Sequence, residues 1–218
     1  MSIKGGKMKL SVSYLNVKKR DVPEVISMLD ATNVDFIHVD VMDGKYVDNK
    51  ANLFSFVEPI GKYTRKRLDI HFMVNKPLKM IDDYALLNAY CMTFHTDIKN
   101  DLDEVIEKVK NYGIKVGLAI NPDQDIDVVM PYIDKIDLIL VMSVVPGLPG
   151  QKFIPEVIPK ITKLRKIIKE EKRNILLSVD GGVNLDNKKE LHECDILVSG
   201  SFITNSPDYI KLIDEMKK

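Results

Sequence analysis

Three of the four histidines in this 218-residue chain, His38, His71 and His95, stand in short apolar runs, at or near their C-terminal ends. Two of those runs also carry carboxylates: His38-Val39-Asp40 and Asp69-Ile70-His71. A further apolar run leads into Asp180. Side chains two residues apart share one face of a strand, so His38, Asp40 and Met42 point one way, as do Asp69, His71 and Met73. A carboxylate inside an apolar strand is costly unless it is paired or bound to a metal. Together His38, Asp40, His71 and Asp180 make a set of two imidazoles and two carboxylates. Such donors suit one divalent ion of zinc, iron, manganese or cobalt. Successive members lie two, 31 and 109 residues apart, so no local motif joins them and only a fold can.

The elements that must do so are eight apolar runs: Leu10–Leu15, Phe36–Val41, Leu68–Val74, Cys91–His95, Lys115–Asn121, Leu138–Ser143, Ile175–Val179 and Ile196–Ser199. Most are nearly continuous in Val, Ile, Leu, Phe and Met, as in parallel strands buried on both faces. Helical periodicity follows each, over Asp21–Asp30, Leu53–Tyr63, Pro77–Asn88, Asp101–Tyr112, Asp125–Ile133, Ile154–Glu171, Asp186–Glu193 and Pro207–Met216. Eight strand–helix units at about 25 residues each predict a compact (β/α)8 barrel in one domain. An open doubly wound sheet usually carries a glycine fingerprint after its first strand, and the stretch here, SYLNVKKRD, has no glycine. We expect residues 1–8 to be a leader and 9–218 the barrel.

Composition narrows the function classes. The chain is 45% hydrophobic and 29% charged, with 32 basic and 32 acidic residues. Zero net charge argues against binding nucleic acid or a polybasic mode of membrane binding. No uncharged apolar run is long enough to span a bilayer. The first residues, MSIKGGKMKL, have no apolar core of a secretory signal, and Cys91 and Cys194 read as buried free thiols of a cytoplasmic protein.

Glycine marks a second feature. Pro146-Gly147-Leu148-Pro149-Gly150 follows the sixth run, Gly181-Gly182 the seventh and Gly200-Ser201 the eighth. Backbone N–H groups beside such glycines can cradle an anion, and the loops after strands seven and eight are the usual phosphate site of these barrels.

Taken in order, Ser13-Tyr14-Leu15, His38-Val39-Asp40-Val41-Met42-Asp43-Gly44, Asp69-Ile70-His71-Phe72-Met73, Val141-Met142-Ser143-Val144-Val145-Pro146-Gly147, Val179-Asp180-Gly181-Gly182 and Ser199-Gly200-Ser201 resemble the ribulose-phosphate 3-epimerase family. The resemblance implies a metal-dependent barrel that interconverts D-ribulose 5-phosphate and D-xylulose 5-phosphate in the pentose phosphate pathway. It implies His38, Asp40, His71 and Asp180 as metal ligands, with Asp40 and Asp180 as the two acid/base groups. Ser13 and His71 would contact the substrate, Met42, Met73 and Met142 would wall the site, and Gly147, Leu148, Pro149, Gly150, Gly181, Gly182, Gly200 and Ser201 would line the sugar-phosphate region. The chemistry agrees with these residue types. Inverting C3 needs one group to remove its proton and another to return one to the opposite face, through an enediolate that a divalent cation stabilises. A homo-oligomer is expected on the same resemblance.

The chain departs from the family pattern in places. The phosphate loop of the family reads Gly-Phe-Gly-Gly-Gln; here it is Gly147-Leu148-Pro149-Gly150-Gln151, and Pro149 lacks a backbone N–H. The family stretch Phe-Val-Pro-Asn is here Tyr46-Val47-Asp48-Asn49, and Thr96-Asp97 follows His95 where an acidic–small pair is usual. These changes leave the metal set intact and bear on the sugar, so a D-allulose 6-phosphate 3-epimerase is the alternative within the class. A non-catalytic sugar-phosphate-binding barrel is the alternative outside it, and would be marked by loss of Asp40 or Asp180. An orotidine-monophosphate-type decarboxylase needs Asp-x-Lys-x-x-Asp, and Asp97-Ile98-Lys99-Asn100-Asp101 places its last Asp one residue early. A Schiff-base aldolase needs an inward lysine at a strand end, and none is found.

Overall fold

The strand β2 (Phe36–Asp43) shows how the chain is written for a barrel. Ile37, Val39 and Val41 alternate with His38, Asp40 and Met42, and all six are buried. The apolar set faces outward under the helices, and each such residue contributes about 1.5–3 kcal/mol by leaving water. The chemical set faces the barrel interior. The same alternation runs through β4 (Arg67–Met73), with Leu68, Ile70 and Phe72 outward and Asp69, His71 and Met73 inward.

The computed structural model describes residues 8–218. The expected leader, residue 8 aside, lies outside the described residues. Besides β2 and β4, the strands are β1 (Lys9–Ser13), β3 (Lys50–Ala51), β5 (Ala89–His95), β6 (Lys115–Ile120), β7 (Leu138–Met142), β8 (Leu176–Asp180) and β9 (Ile196–Ser199). The order β1-β9-β8-β7-β6-β5-β4-β2-β3, with β1 also paired to β2, closes eight parallel strands into a (β/α)8 barrel. Closure stacks the interior in layers. Register places His38 beside Asp69, Asp40 beside His71 and Met42 beside Met73 on β2 and β4, climbing toward the mouth. Below the site Phe36, Leu138, Leu140, Ile196 and Val198 fill the barrel.

The helices α1 (Val22–Asp30), α2 (Phe54–Val57), α3 (Ile81–Ala85), α4 (Leu102–Asn111), α5 (Ile158–Glu170), α6 (Ser201–Thr204) and α7 (Tyr209–Met216) surround it. Helix α4 is typical of the local logic. Asp101 caps it, accepting from the N–H groups of Asp103 and Glu104 at 2.8 and 3.3 Å, a cap worth about 1 kcal/mol. Leu102, Val105, Ile106 and Val109 form its buried face.

Two expected helices are not α-helices. Asp125–Ile133 forms two 3-10 turns, Ile126–Val128 and Met130–Tyr132. Pro131 sits inside that segment and supplies no N–H for an α-helical ladder. Over Asp186–Glu193 the structure forms one 3-10 turn, Lys188–Leu191. Just before it the Asn184 carboxamide accepts from the N–H groups of Asp186 and Asn187, drawing the backbone into a local turn. Strand β3, antiparallel to Met42 and Asp43, is an addition to the expected pattern. Cys91 and Cys194 are both buried and unpaired.

Candidate metal centre and cavity

The four donors converge. Nε2 of His38 lies 3.3 Å from Oδ1 of Asp40 and 3.6 Å from Oδ2 of Asp180. Nδ1 of His71 lies 3.4 Å from the same Asp40 oxygen and 3.7 Å from the same Asp180 oxygen. One donor atom from each residue falls within 4.8 Å of the other three. The edge of a tetrahedron with zinc-like bonds of roughly 2.1 Å is about 3.4 Å, so these spacings fit a four-coordinate divalent ion. The orphaned atoms agree. Five buried side-chain polar atoms lack a hydrogen-bond partner among the described residues, and His38 Nε2 and His71 Nδ1 are two of them. Both atoms belong to the four-residue donor cluster, and a cation held there would give each the partner it lacks.

Electrostatics within the set offset the cost of burying it. Burial alone would depress the pKa of His38, but the Asp40 and Asp69 carboxylates outweigh it and raise it well above 6.5. His71 is likewise raised: burial opposes the shift, and Asp180 and Asp40 drive it. For Asp40, burial would raise the pKa, and the two imidazoles reverse this and hold it well below the carboxylate range. Protons and a divalent cation would therefore compete for one site.

Outer contacts set the orientation of each donor. Ser13 Oγ donates to Asp40 Oδ2 at 2.7 Å, which leaves Oδ1 for the imidazoles. His38 Nδ1 donates to Asp69 Oδ2 at 2.9 Å, and Ser11 Oγ donates to the same oxygen at 2.9 Å. An imidazole ligand backed by a carboxylate in this way has its tautomer fixed and its basicity raised. Behind His71, Nε2 meets Nε2 of His95 at 2.8 Å. Burial and then the adjacent His71 hold the His95 pKa well below 6.5, so His95 is neutral.

Above the donors a cavity opens at the C-terminal ends of the strands. Ser13, Asp40, Met42, Met73, Met142, Gly147, Leu148, Pro149, Gly150, Asp180, Gly181, Gly182, Gly200 and Ser201 all line it. His38 and His71 do not; they are buried beneath it. Leu15, Asn16, Val144, Pro146 and Gln151 also line it and stood outside the sequence-derived set. Asp40 and Asp180 are the only charged side chains among its lining residues. Asp69, the backing of His38, was legible two residues before His71 on the same strand face.

Two glycines of the rim have a conformation that few other residues could take. Gly181 has φ +120°, and a Cβ there would stand 2.5–2.9 Å from Val144. Gly182 has φ +63°, and a Cβ there would stand 2.8 Å from Cα of Phe153. The Gly147–Gly150 loop is held by Gln151, whose Nε2 donates to the carbonyls of Val145 and Leu148 at 2.6 and 2.9 Å.

Comparisons with known proteins bear on the family. The model of the ribulose-phosphate 3 epimerase family matches residues 9–204. The ribulose-phosphate 3-epimerase of Buchnera aphidicola subsp. Baizongia pistaciae is 40% identical over 93% of this chain and 91% of that protein. Those of Escherichia coli K12 and Bacillus subtilis 168 are 37% and 33% identical, over 86% and 96% of this chain and 84% and 98% of theirs. Among solved structures, KGPDC from Streptococcus mutans superposes with a TM-score of 0.70 at 14% identity, covering 97% of this chain and 96% of that one. The 3-hexulose-6-phosphate synthase of Salmonella typhimurium gives 0.67 at 19%, covering 96% and 97%. At that identity the two structures speak for the barrel alone. The sequence relatives, matched along nearly their whole length, carry the further conclusion that this chain belongs to the ribulose-phosphate 3-epimerase family.

Proposed function

We propose that this chain inverts C3 of a ketose phosphate, interconverting D-ribulose 5-phosphate and D-xylulose 5-phosphate. Residues 9–218 are the catalytic unit. His38, Asp40, His71 and Asp180 hold one divalent ion of zinc, iron, manganese or cobalt. The observation that carries the reading is that the only two charged side chains lining the cavity, Asp40 and Asp180, come from separate strands, β2 and β8, and flank the same pair of imidazoles.

Asp40 and Asp180 share the proton transfer. One carboxylate takes the C3 proton as the C–H electron pair moves into the C2–C3 bond and the π pair of the C2 carbonyl moves onto its oxygen. The other, protonated at the start, returns a proton to the opposite face. At the end of a turnover the two carboxyls have exchanged protonation states. Ser13 orients Asp40 through its 2.7 Å hydrogen bond. A divalent cation, when bound, supplies electrostatic stabilisation of the negative charge that develops on the substrate oxygens. Met42, Met73 and Met142 offer the intermediate an apolar wall with no exchangeable proton. The glycines of the rim bind the phosphate through backbone N–H groups. Among the described residues no helix is long and apolar enough to cross a membrane. The further reading that the protein acts as a homo-oligomer in the cytoplasm is tested by sedimentation and fractionation.

The deciding experiment follows the C3 proton by NMR in D2O with metal-loaded protein, in separate arms with D-ribulose 5-phosphate and D-allulose 6-phosphate. Loss of the signal with appearance of the epimer in the first arm is expected. Faster exchange in the second arm would reassign the sugar and keep the chemistry. Absence of exchange in both would overturn the reading.

A further inference from the structure

The two imidazoles of the donor set are backed differently. His38 has the Asp69 carboxylate directly behind it, 2.9 Å away. His71 has another imidazole, His95. To offer Nδ1 to a cation, His71 must carry its ring hydrogen on Nε2, and that hydrogen donates to Nε2 of His95. His95 Nε2 must then be bare, which places the His95 hydrogen on Nδ1. On its other side, His95 Nδ1 is buried and has no hydrogen-bond partner among the described residues, and the same is true of Asn121 Oδ1. Asn121 belongs to the same cluster, because it donates to the hydroxyl of Tyr46, whose ring lies over His95.

The far end of Asn121 is fixed by its neighbours. Its Nδ2 donates to the Tyr46 hydroxyl at 3.1 Å and to Asp97 Oδ2 at 3.3 Å. Tyr46 in turn donates to Asp97 Oδ1 at 2.7 Å, and its ring lies over His95 with centroids 4.7 Å apart. The backbone of Asn121 is pinned as well, with its N–H donating to Gln124 and its carbonyl accepting from Lys160. With Nδ2 committed to two acceptors, Oδ1 is the face of the carboxamide left for His95. Every hydrogen in the series then points away from the donor cluster, from His71 to His95, Asn121, Tyr46 and finally the solvated carboxylate of Asp97.

We propose that His95, Asn121 and Tyr46 form a one-way hydrogen-bond chain that brings the Asp97 carboxylate to bear on His71, and that Tyr46 is a positioning residue for this ligand. The inference rests on the reading that the four-donor cluster holds a divalent cation. Physically, His71 receives through three intermediaries what His38 receives directly, a carboxylate that fixes its tautomer. Tyr46 stands where the family pattern has Phe, so the hydroxyl link is a feature of this chain's own sequence.

The test strips the full-length protein of metal and measures Co²⁺ affinity by competition with a chromophoric chelator, alongside turnover at saturating metal. Tyr46→Phe keeps the ring over His95 and breaks the chain; Asp97→Asn keeps the shape, removes the charge, and serves if Tyr46→Phe does not fold. Asp69→Asn and Asp40→Asn are the references. Direct loss of backing at Asp69 should weaken Co²⁺ binding by about 10–100-fold, and the remote break at Tyr46 or Asp97 by roughly 3–10-fold. The Michaelis constant for the sugar at saturating metal should not move. Imidazole nitrogen NMR of zinc-loaded protein should show His95 protonated on Nδ1. Wild-type Co²⁺ affinity in both Tyr46→Phe and Asp97→Asn, with Asp69→Asn and Asp40→Asn weakened, would overturn the chain and leave the cation site standing. Wild-type affinity in Asp40→Asn would overturn the site reading itself, and the chain with it.

Discussion

The barrel mouth is built in two ways. Toward β1, β2, β4 and β8 its polar groups are side chains on regular strands: Ser13, His38, Asp40, His71 and Asp180, the imidazoles fully buried. Toward the loops after β7, β8 and β9 it is built mostly of backbone, with Gly147, Gly150, Gly181 and Gly182 at positive φ and no lysine or arginine lining the cavity. The difference teaches where each half is vulnerable. The side-chain half depends on the identity of each functional group, while its strands could be written with many apolar neighbours. The backbone half depends on conformation, because a Cβ at Gly181 or Gly182 would overlap Val144 or Phe153.

That contrast can be broken or sharpened by experiment. Asp40→Asn or Asp180→Asn should lower turnover by about 10³-fold or more, within or beyond the usual range for acid/base groups, with circular dichroism unchanged. A near-wild-type rate in either would remove the side-chain half from the chemistry. Gly182→Ala should act on the other half. Losing one hydrogen bond to a charged phosphate costs about 1.5–3 kcal/mol, so the Michaelis constant should rise about tenfold or more while kcat is largely kept. A fall confined to kcat would erase the distinction between the halves.

A smaller effect is expected in the pH dependence of the metal-stripped protein. The folded pKa values of His38 and His71 lie above their ordinary 6.5. Their stabilisation is therefore complete below pH 6.5 and is lost as pH rises through the folded values. Asp40, ordinarily at 3.8, is lowered, so its contribution is present above 3.8 and lost as pH falls through its folded value. Thermal melts of stripped protein should thus fall in Tm above pH 6.5, and saturating Zn²⁺ should abolish the decline. A melt insensitive to pH across that window would separate the imidazoles from the carboxylates. The smallest effect is at the loop. Pro149→Gly restores one N–H, and the Michaelis constant should drop about two- to fivefold if that donor reaches the phosphate, a neutral hydrogen bond being worth about 1 kcal/mol or less. An unchanged constant would place Pro149 outside the anion cradle.

Much of this was legible before any fold. The eight barrel strands announced themselves as apolar runs, and β2 and β4 gave away their inward faces because polar residues recur there at period two. Less legible were the connections after β6 and β8, where Pro131 and Asn184 favour 3-10 turns over the helices that apolar spacing suggests. Strand β3, two residues long, is too short for any periodicity to register. His95 and Asn121 could be read as polar strand ends. Nothing in their spacing joined them to Tyr46 and Asp97, which lie on separate loops.

The sequence by itself determined the donor types, the face on which each lies and the glycines of the rim, because these follow from residue chemistry and from the period of an extended chain. Tertiary structure decided the rest: the 3.3–3.7 Å spacing of the donors, the layers that set Asp40 beside His71, and the unequal backing of the two imidazoles. Those depend on strand register and on closure of β1 against β2. Both are set by the packing of the whole barrel, since no local interaction joins residues 31 or 109 positions apart.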